Sequence, residues 1–187
     1  MPTKCFMIET IGERLSEFVY SCSNSACSFA DHIRLPTDPE STLGHAPERL
    51  CPSARCRKPM SVGQHTWNLW RNVVTGATHS RLQDFGPGAM FDAPWLPEEW
   101  RGQDGQAMSV ILPNGHVWHI DSQAANCTRK GEDHDCWCRH GEPPMLTVDK
   151  NPEPGRSTCE AGSGSIKSGS YHGFLRDGVL SDGIRDS

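Results

Sequence analysis

The chain has 187 residues, enough for one domain or for one domain with a small appendage. Its hydrophobic fraction of 35% lies below the usual range for globular proteins, and its 18 glycines and 14 prolines favour turns over long helices. The formal net charge of −5 argues against a general nucleic-acid coat, because such proteins usually carry a basic surface.

No segment approaches the roughly 20 consecutive apolar residues that a membrane-spanning helix needs. Residues 1–10 carry one lysine but lack the apolar core of a signal peptide. We therefore expect a protein that is not secreted and has no membrane partner. In a reducing compartment, its nine cysteines are more often metal ligands, catalytic groups or buried thiols than disulfides. A disulfide framework is the alternative.

The first part of the chain, residues 1–83, contains two strand-like runs. Residues 14–20 (RLSEFVY) alternate in polarity and lead towards Cys22, and residues 65–74 (HTWNLWRNVV) are rich in aromatic and β-branched side chains. Thr75 and Gly76 then indicate a turn. A weak helical period over residues 8–18 overlaps the first of these two runs and offers a helix as the alternative there.

Two cysteine pairs with the same spacing predict a metal site in this part of the chain. Cys22 and Cys27 form one C-x4-C loop, and Cys51 and Cys56 form another. Two such loops supply the four soft ligands of a tetrahedral structural Zn²⁺ ion, whose binding would also help a chain with few apolar residues to fold. Residues 1–83 are thus interpreted as a zinc-ribbon-like N-terminal module.

Two alternatives to the four-cysteine site remain. The cysteines can be free structural thiols, or a histidine between the pairs, His32 or His45, can replace one of the ligands.

A Pro/Gly/Trp-rich connection follows over residues 84–107. Four bulky apolar side chains predict that it packs against the protein rather than forming a free linker: Phe85, Phe91, Trp95 and Trp100. Pro97 suits the first position of a helix, so residues 97–100 (PEEW) predict one short helical turn.

Residues 108–187 are predicted to form a small β-rich C-terminal domain. Residues 108–120 (MSVILPNGHVWHI) predict a hairpin around a Pro-Asn-Gly turn. Residues 145–148 and 174–180 predict further short strands, the last with Asp177 and Gly178 at a turn. The fold class expected for the whole chain is mainly β, a β-rich α+β protein with short helices.

A second group of metal-binding or nucleophilic side chains lies in this C-terminal part. Four of them occur within seven residues (HDCWCRH), and a strand there would turn all four to one side. The group is compatible with a second metal site, with a thiol–imidazole catalytic pair, or with an ordinary strand carrying exposed histidines. Its members are Cys127, His134, Cys136, Cys138, His140, Cys159 and His172.

Several short segments resemble a family of uncharacterised proteins from tailed bacteriophages and prophages. They include residues 86–91 (GPGAMF), 139–144 (RHGEPP), 158–166 (TCEAGSGSI) and 171–178 (YHGFLRDG). The final part also resembles a wider domain of unknown function in phages and mobile elements, but Tyr171 stands where that domain has a cysteine. The resemblance implies a phage origin, and with it the host cytoplasm or the virion as location, but no activity.

Three functions are consistent with the sequence. The first is a zinc-stabilised phage protein that acts through protein contacts, either on the virion or on a host machine. The second is an enzyme that uses a metal-bound water or a thiolate in the region from Cys127 to His172, with Cys136 or Cys159 near His140 or His172. The third is a nucleic-acid-binding zinc ribbon, for which residues 55–58 (RCRK) would supply a basic face.

Overall fold

The structure is a computed structural model. It describes residues 1–34, 46, 48–102, 104–124, 126–129, 132, 134–152, 154, 157–159 and 164–183, without the side chains of residues 14–16 and 34. These residues form a β-rich fold with two 3₁₀ turns, Leu82–Phe85 and Glu98–Trp100, so the predicted fold class is confirmed. The strands are β1 (Thr3–Lys4), β2 (Phe6–Cys22), β3 (Ala30–Arg34), β4 (Met60–Asn72), β5 (Thr78–His79), β6 (Ala89–Asp92), β7 (Met108–Ile111), β8 (Val117–His119), β9 (Cys138–His140), β10 (Thr147–Asp149), β11 (Ile166–Ser168), β12 (Tyr171–Arg176) and β13 (Val179–Asp182).

The chain divides into two compact units. We call Ile11–Leu69 the knuckle unit, and Met1–Thr10 together with Trp70–Ser187 the main unit. This division differs from predicted boundaries after residues 83 and 107. The first ten residues belong with the later part of the chain because β1 pairs with β13 and the start of β2 pairs with β6. Such long-range pairing leaves no local trace in the sequence. No helix of the described residues is long and apolar enough to cross a membrane.

The knuckle unit is built on the second half of β2. Strand β3 pairs antiparallel with it, from Glu17 opposite Arg34 to Ser21 opposite Ala30. On the other side, contacts from Ser21–Ser61 to Glu13–Thr66 place β4 alongside β2. Among the described residues of this unit, few side chains are buried, which leaves little apolar burial to stabilise it. They are Phe18, Tyr20 and Cys51.

The main unit contains a sheet in the order β5-β4-β2-β6-β7-β8, to which β2 contributes residues 6–10 and β4 residues 70–72. It also contains a second sheet in the order β1-β13-β12-β11 and the pair β10-β9. Phe6 lies opposite Ala89 in the parallel pairing of β2 with β6. Gly88, with a φ of 90°, accepts a hydrogen bond from the Phe6 amide and donates one to the Ile111 carbonyl. The backbone at this corner therefore approaches too closely for a side chain.

Among the described residues, the core of the main unit has two larger apolar clusters besides a small one formed by Ala124, Cys127, Cys136 and Cys159. One joins the strands of both sheets and includes Met90, Val110, Leu146 and Leu175, all fully buried. The other surrounds Trp70, whose ring meets Phe91 edge-to-face at 5.3 Å. These clusters give the main unit a conventional apolar core.

Most of the strands predicted from the sequence are present. The segment 14–20 lies in β2, and 65–74 overlaps β4 up to Asn72. Residues 108–120 form the predicted β7–β8 hairpin, and 145–148 overlap β10. The segment 174–180 spans β12 and β13, which turn at Asp177 and Gly178 with φ of 47° and 70°.

Two predictions are corrected. The helical period over residues 8–18 is wrong: these residues lie in β2, where aromatic Phe18 and Tyr20 are buried on either side of the half-buried Val19, as a two-residue period requires. The segment 84–107 is more than a connection, since its β6 lies inside the main sheet between β2 and β7.

Candidate metal centres

The knuckle unit brings its two C-x4-C loops together by matching backbone hydrogen bonds. In the first loop, the Cys22 amide bonds the Phe29 carbonyl at 3.0 Å, and the Cys27 amide bonds the Asn24 carbonyl at 2.8 Å. In the second loop, the Cys51 amide bonds the carbonyl seven residues later, that of Lys58, at 2.9 Å. The Cys56 amide bonds the carbonyl three residues earlier, at 2.9 Å, as in the first loop. The repeated spacing thus encodes two loops of the same construction.

The four sulfurs of these loops form one compact group. The Sγ atoms of Cys22 and Cys56 lie 3.4 Å apart, and those of Cys27 and Cys51 lie 3.7 Å apart, so each short contact joins one loop to the other. All four sulfurs lie within 4.8 Å of one another. In a tetrahedral site with metal–sulfur distances of about 2.3 Å, neighbouring sulfurs would lie about 3.8 Å apart. The four donors fit such an ion, and we call them the first centre.

Burial and nearby hydrogen-bond donors shift the pKa values of these thiols in different directions. The Asn24 amide, 3.4 Å from Cys22 Sγ, lowers the pKa of that thiol, but burial and the neighbouring thiols raise it to about 12. Burial also raises the pKa of Cys51. Cys56 is the exception, because hydrogen bonds, first from the Lys58 amide and then from Cys22, lower its pKa to about 7. A divalent ion bound to the four sulfurs would favour their thiolate forms.

The histidine alternatives to this ligand set can be placed in part. The His32 imidazole lies 3.5 Å from the Glu17 carboxylate, which His65 also approaches at 3.2 Å. His32 is not one of the four grouped donors. His45 lies outside the described residues.

A second group of four donors lies in the main unit. The Nε2 atom of His134 lies 3.2 Å from Cys127 Sγ and 3.5 Å from Cys136 Sγ, and the sulfurs of Cys136 and Cys159 lie 3.6 Å apart. All four donor atoms lie within 4.8 Å of one another. The three cysteines are buried and the histidine is half-buried. We call this group the second centre.

A backbone contact orients the His134 imidazole in this group. The Nδ1–H of His134 donates to the Glu132 carbonyl at 2.9 Å, which leaves Nε2 as the lone-pair atom that faces the sulfurs. Burial raises the pKa of Cys136 to about 12, against a hydrogen bond from the Ala124 backbone. The buried thiol is therefore protonated unless a cation binds, as expected for a closed metal site.

The structure brings together four of the seven residues proposed from the sequence and places the other three elsewhere. Strand β9 begins only at Cys138, so His134 and Cys136 lie in a loop and not on one face of a strand. The His140 imidazole pairs with Asp149 across β9 and β10 at 3.1 Å. The His172 imidazole lies 3.1 Å from the Ser165 hydroxyl.

An ion network near the second centre was not anticipated from the sequence. The Arg139 guanidinium binds Asp104 through two nitrogens, at 2.7 and 3.0 Å, and Asp121 through Nε at 3.1 Å. Burial raises the Asp121 pKa to about 6, although Arg139 and the Met108 amide both lower it. The partners are 18 and 35 residues from Arg139, a separation at which spacing carries no signal.

Among the residues that the structure describes, each unit contains one group of four donors, with three or four sulfurs, that can hold a metal ion. No family model, no curated protein and no solved structure matches the chain.

Proposed function

We propose that the chain is a protein stabilised by two zinc ions, one at each centre, and that it acts through contacts with another protein. The observation that carries this proposal is that each centre supplies four protein donors to one point. A site with four protein ligands leaves no position for water or substrate, which is the arrangement of structural rather than catalytic zinc.

The donor chemistry supports zinc as the metal. Thiolate-rich tetrahedral sites favour Zn²⁺ over Mg²⁺, Ca²⁺ and Mn²⁺, which prefer oxygen ligands. Cys22, Cys27, Cys51 and Cys56 would hold the first ion, and Cys127, His134, Cys136 and Cys159 would hold the second. Zinc bound there would supply folding free energy and take no part in bond-making chemistry.

An exposed tryptophan supports a role in protein contacts. Trp95 is 54% exposed, yet its ring lies 6.2 Å from the ring of Phe91 and 5.9 Å from that of Trp70. Both neighbours are buried, so they fix the orientation of the exposed ring. Rigid aromatic anchors of this kind are frequent energetic centres of protein interfaces.

Native mass spectrometry of the purified protein tests the metal proposal. We expect a mass excess of two zinc ions per chain, lost on acidification. One ion would remove one centre from the proposal, and a metal-free folded chain would refute it.

The resemblance to phage and prophage proteins supports a phage context, in which the protein is a virion component or binds a host protein. Quantitative mass spectrometry of purified virions separates these roles. A fixed copy number per particle supports the virion component, and absence from particles supports the host-directed role.

Nucleic-acid binding is a second candidate, favoured by one observation. Arg55, Arg57 and Lys58 are all exposed, and they lie within or directly after the second C-x4-C loop. A filter-binding assay at low salt with DNA and RNA tests it, because phosphate contacts are strongest under those conditions. Retention that is lost on Arg55→Ala/Arg57→Ala substitution supports this function, and no retention refutes it.

A further inference from the structure

A cavity of about 750 Å³ opens beside the second centre, within the main unit. His134 and Cys136 form part of its wall, and the 3₁₀ turn Glu98–Trp100 forms another part. Its volume lies in the range of pockets that hold a side chain or a small ligand.

The lining of the cavity is strongly acidic. It contains five carboxylates and one cationic side chain, that of Arg101. The Arg101 guanidinium is engaged elsewhere, since it donates to the carbonyls of Pro94 at 2.9 Å and Gly105 at 3.2 Å. A zinc ion with three thiolates and one imidazole would add a net charge of about −1 to the wall. The carboxylates are Glu98, Glu99, Asp121, Glu132 and Asp135.

Glu98 and Glu99 are available for a ligand. Asp121 is bound by Arg139, and Glu132 is bound by Arg129 at 2.7 Å. Glu98 and Glu99 are exposed, and neither forms an ion pair with any residue that the structure describes. They are carried by a short turn that begins after Pro97.

Aromatic side chains form a further part of the cavity wall. Trp100 and Trp137 both line the cavity. Trp137 is held by an edge-to-face contact with Trp118 at 5.6 Å. The Lys150 ammonium lies 5.7 Å from the centre of the Trp137 ring, so this ring already accepts a cation within the protein. Carboxylates and indole faces together select a flat, delocalised cation.

We propose that this cavity binds an arginine side chain from a basic segment of a partner protein. A guanidinium can stack on the Trp100 ring while it donates paired hydrogen bonds to Glu98 or Glu99, a combination that an ammonium group cannot match. The proposal rests on the proposed function for the class of partner, and it adds the chemistry by which that partner is recognised.

Fluorescence anisotropy with the zinc-loaded protein tests the proposal. The probe is a labelled Gly/Ser peptide with two arginines, and its control is the same peptide with both arginines replaced by neutral citrulline. We expect the arginine peptide to bind and the citrulline peptide to bind at least about tenfold more weakly at low salt. Equal binding of the two peptides would overturn the proposal.

Variants locate the binding on the cavity. The double variant Glu98→Gln/Glu99→Gln should weaken the arginine peptide about fivefold, and Trp100→Leu should weaken it by a similar factor. The matched control Glu48→Gln/Asp84→Asn removes the same charge from exposed residues outside the cavity and should leave the affinity unchanged. Equal weakening by both double variants would mean a general charge effect and would overturn the proposal.

The metal content of the variants separates this inference from the proposed function. Native mass spectrometry reports the metal content of every variant, so a protein that holds two zinc ions but binds no arginine peptide refutes the cavity proposal alone.

Competition with spermine distinguishes a protein segment from a free polyamine. Displacement of the peptide by spermine at equal or lower concentration would overturn the assignment to an arginine side chain.

Discussion

Cys159 and Cys138 are buried thiols in the same part of the main unit, but only Cys159 belongs to the second centre. Cys159→Ser removes one of four donors, so we expect the bound metal to fall from two ions to one per chain. Cys138→Ser is the matched control and should retain two ions. Native mass spectrometry measures both. Loss of metal from the Cys138 variant, with retention in the Cys159 variant, would show that the ligand set is wrong.

Asp121 gives a second prediction for a single residue. Burial raises its pKa to about 6, and Arg139 opposes this effect. Arg139→Met should therefore raise the Asp121 pKa further, whereas Asp104→Asn should lower it, because the Asp104 charge contributes to the raised value. Carbon-13 NMR of the Asp121 carboxyl against pH measures the shifts. Shifts of the same sign in both variants would contradict the assigned causes.

The raised Asp121 pKa also affects stability. A carboxyl with a folded pKa above its unfolded value of 3.8 binds its proton more tightly in the folded state. Its contribution is complete below pH 3.8 and is lost as the pH rises through about 6. The loss is at most about 3 kcal/mol. Denaturant unfolding of the native protein and of Asp121→Asn at several pH values measures it, as a difference that declines over this interval.

Residue roles could be predicted where the signal is local. The first centre follows from two identical spacings, because a C-x4-C loop brings its own two sulfurs together. The second centre takes donors from separate loops, and the sequence offers seven candidates for four positions. Backbone direction decides among them: the loop before β9 turns His134 and Cys136 towards Cys159, while β9 itself directs His140 to Asp149. No spacing rule contains that information.

Gly88 provides a prediction for the pairing of elements. A Cβ atom at this position would collide with the Lys4 carbonyl oxygen, and the φ of 90° is unfavourable for any other residue. We expect Gly88→Ala to lower the unfolding free energy by about 3 kcal/mol. Gly76→Ala is the matched control: its φ of 73° is also positive, but open space surrounds its Cβ position. That variant should cost only about 1 kcal/mol.

Thermal unfolding of the two glycine variants checks this difference. The comparison isolates the steric part of the effect, because both substitutions impose a positive φ on alanine. Equal loss of stability would mean that the β1–β2 corner moves to accept the methyl group, and that the close approach at Gly88 is not required for the sheet.

Elements formed by neighbouring residues could be predicted, while their partners could not. The Pro-Asn-Gly and Asp-Gly turns identify the hairpins β7–β8 and β12–β13, because their residues suit tight turns. The parallel pairing of β2 with β6 joins residues more than 80 positions apart, and β1 pairs with β13 from the opposite end of the chain. These pairings are selected by the packed core, so the domain boundaries derived from composition differ from the units of the structure.

For the whole molecule, the two units differ in what stabilises them. The main unit has two large buried apolar clusters, whereas the described part of the knuckle unit buries only Phe18, Tyr20 and Cys51. Apolar burial on that scale offsets little of the conformational entropy of some 60 residues, at about 1–2 kcal/mol for each backbone unit. We therefore predict that metal binding at the first centre is the main source of folding free energy for the knuckle unit.

Hydrogen exchange with mass spectrometry tests this division. In Cys27→Ser, which removes one donor of the first centre, amides of β3 and of residues 11–22 and 60–69 should exchange at rates close to those of an unfolded chain. Amides of β7 and β12 should keep their protection, because apolar side chains such as Val110 and Leu175 remain packed. The reciprocal variant Cys159→Ser should leave the knuckle unit protected. If Cys27→Ser instead abolished protection throughout the chain, the two units would fold as one cooperative body, and the first centre would stabilise the whole molecule rather than its own unit.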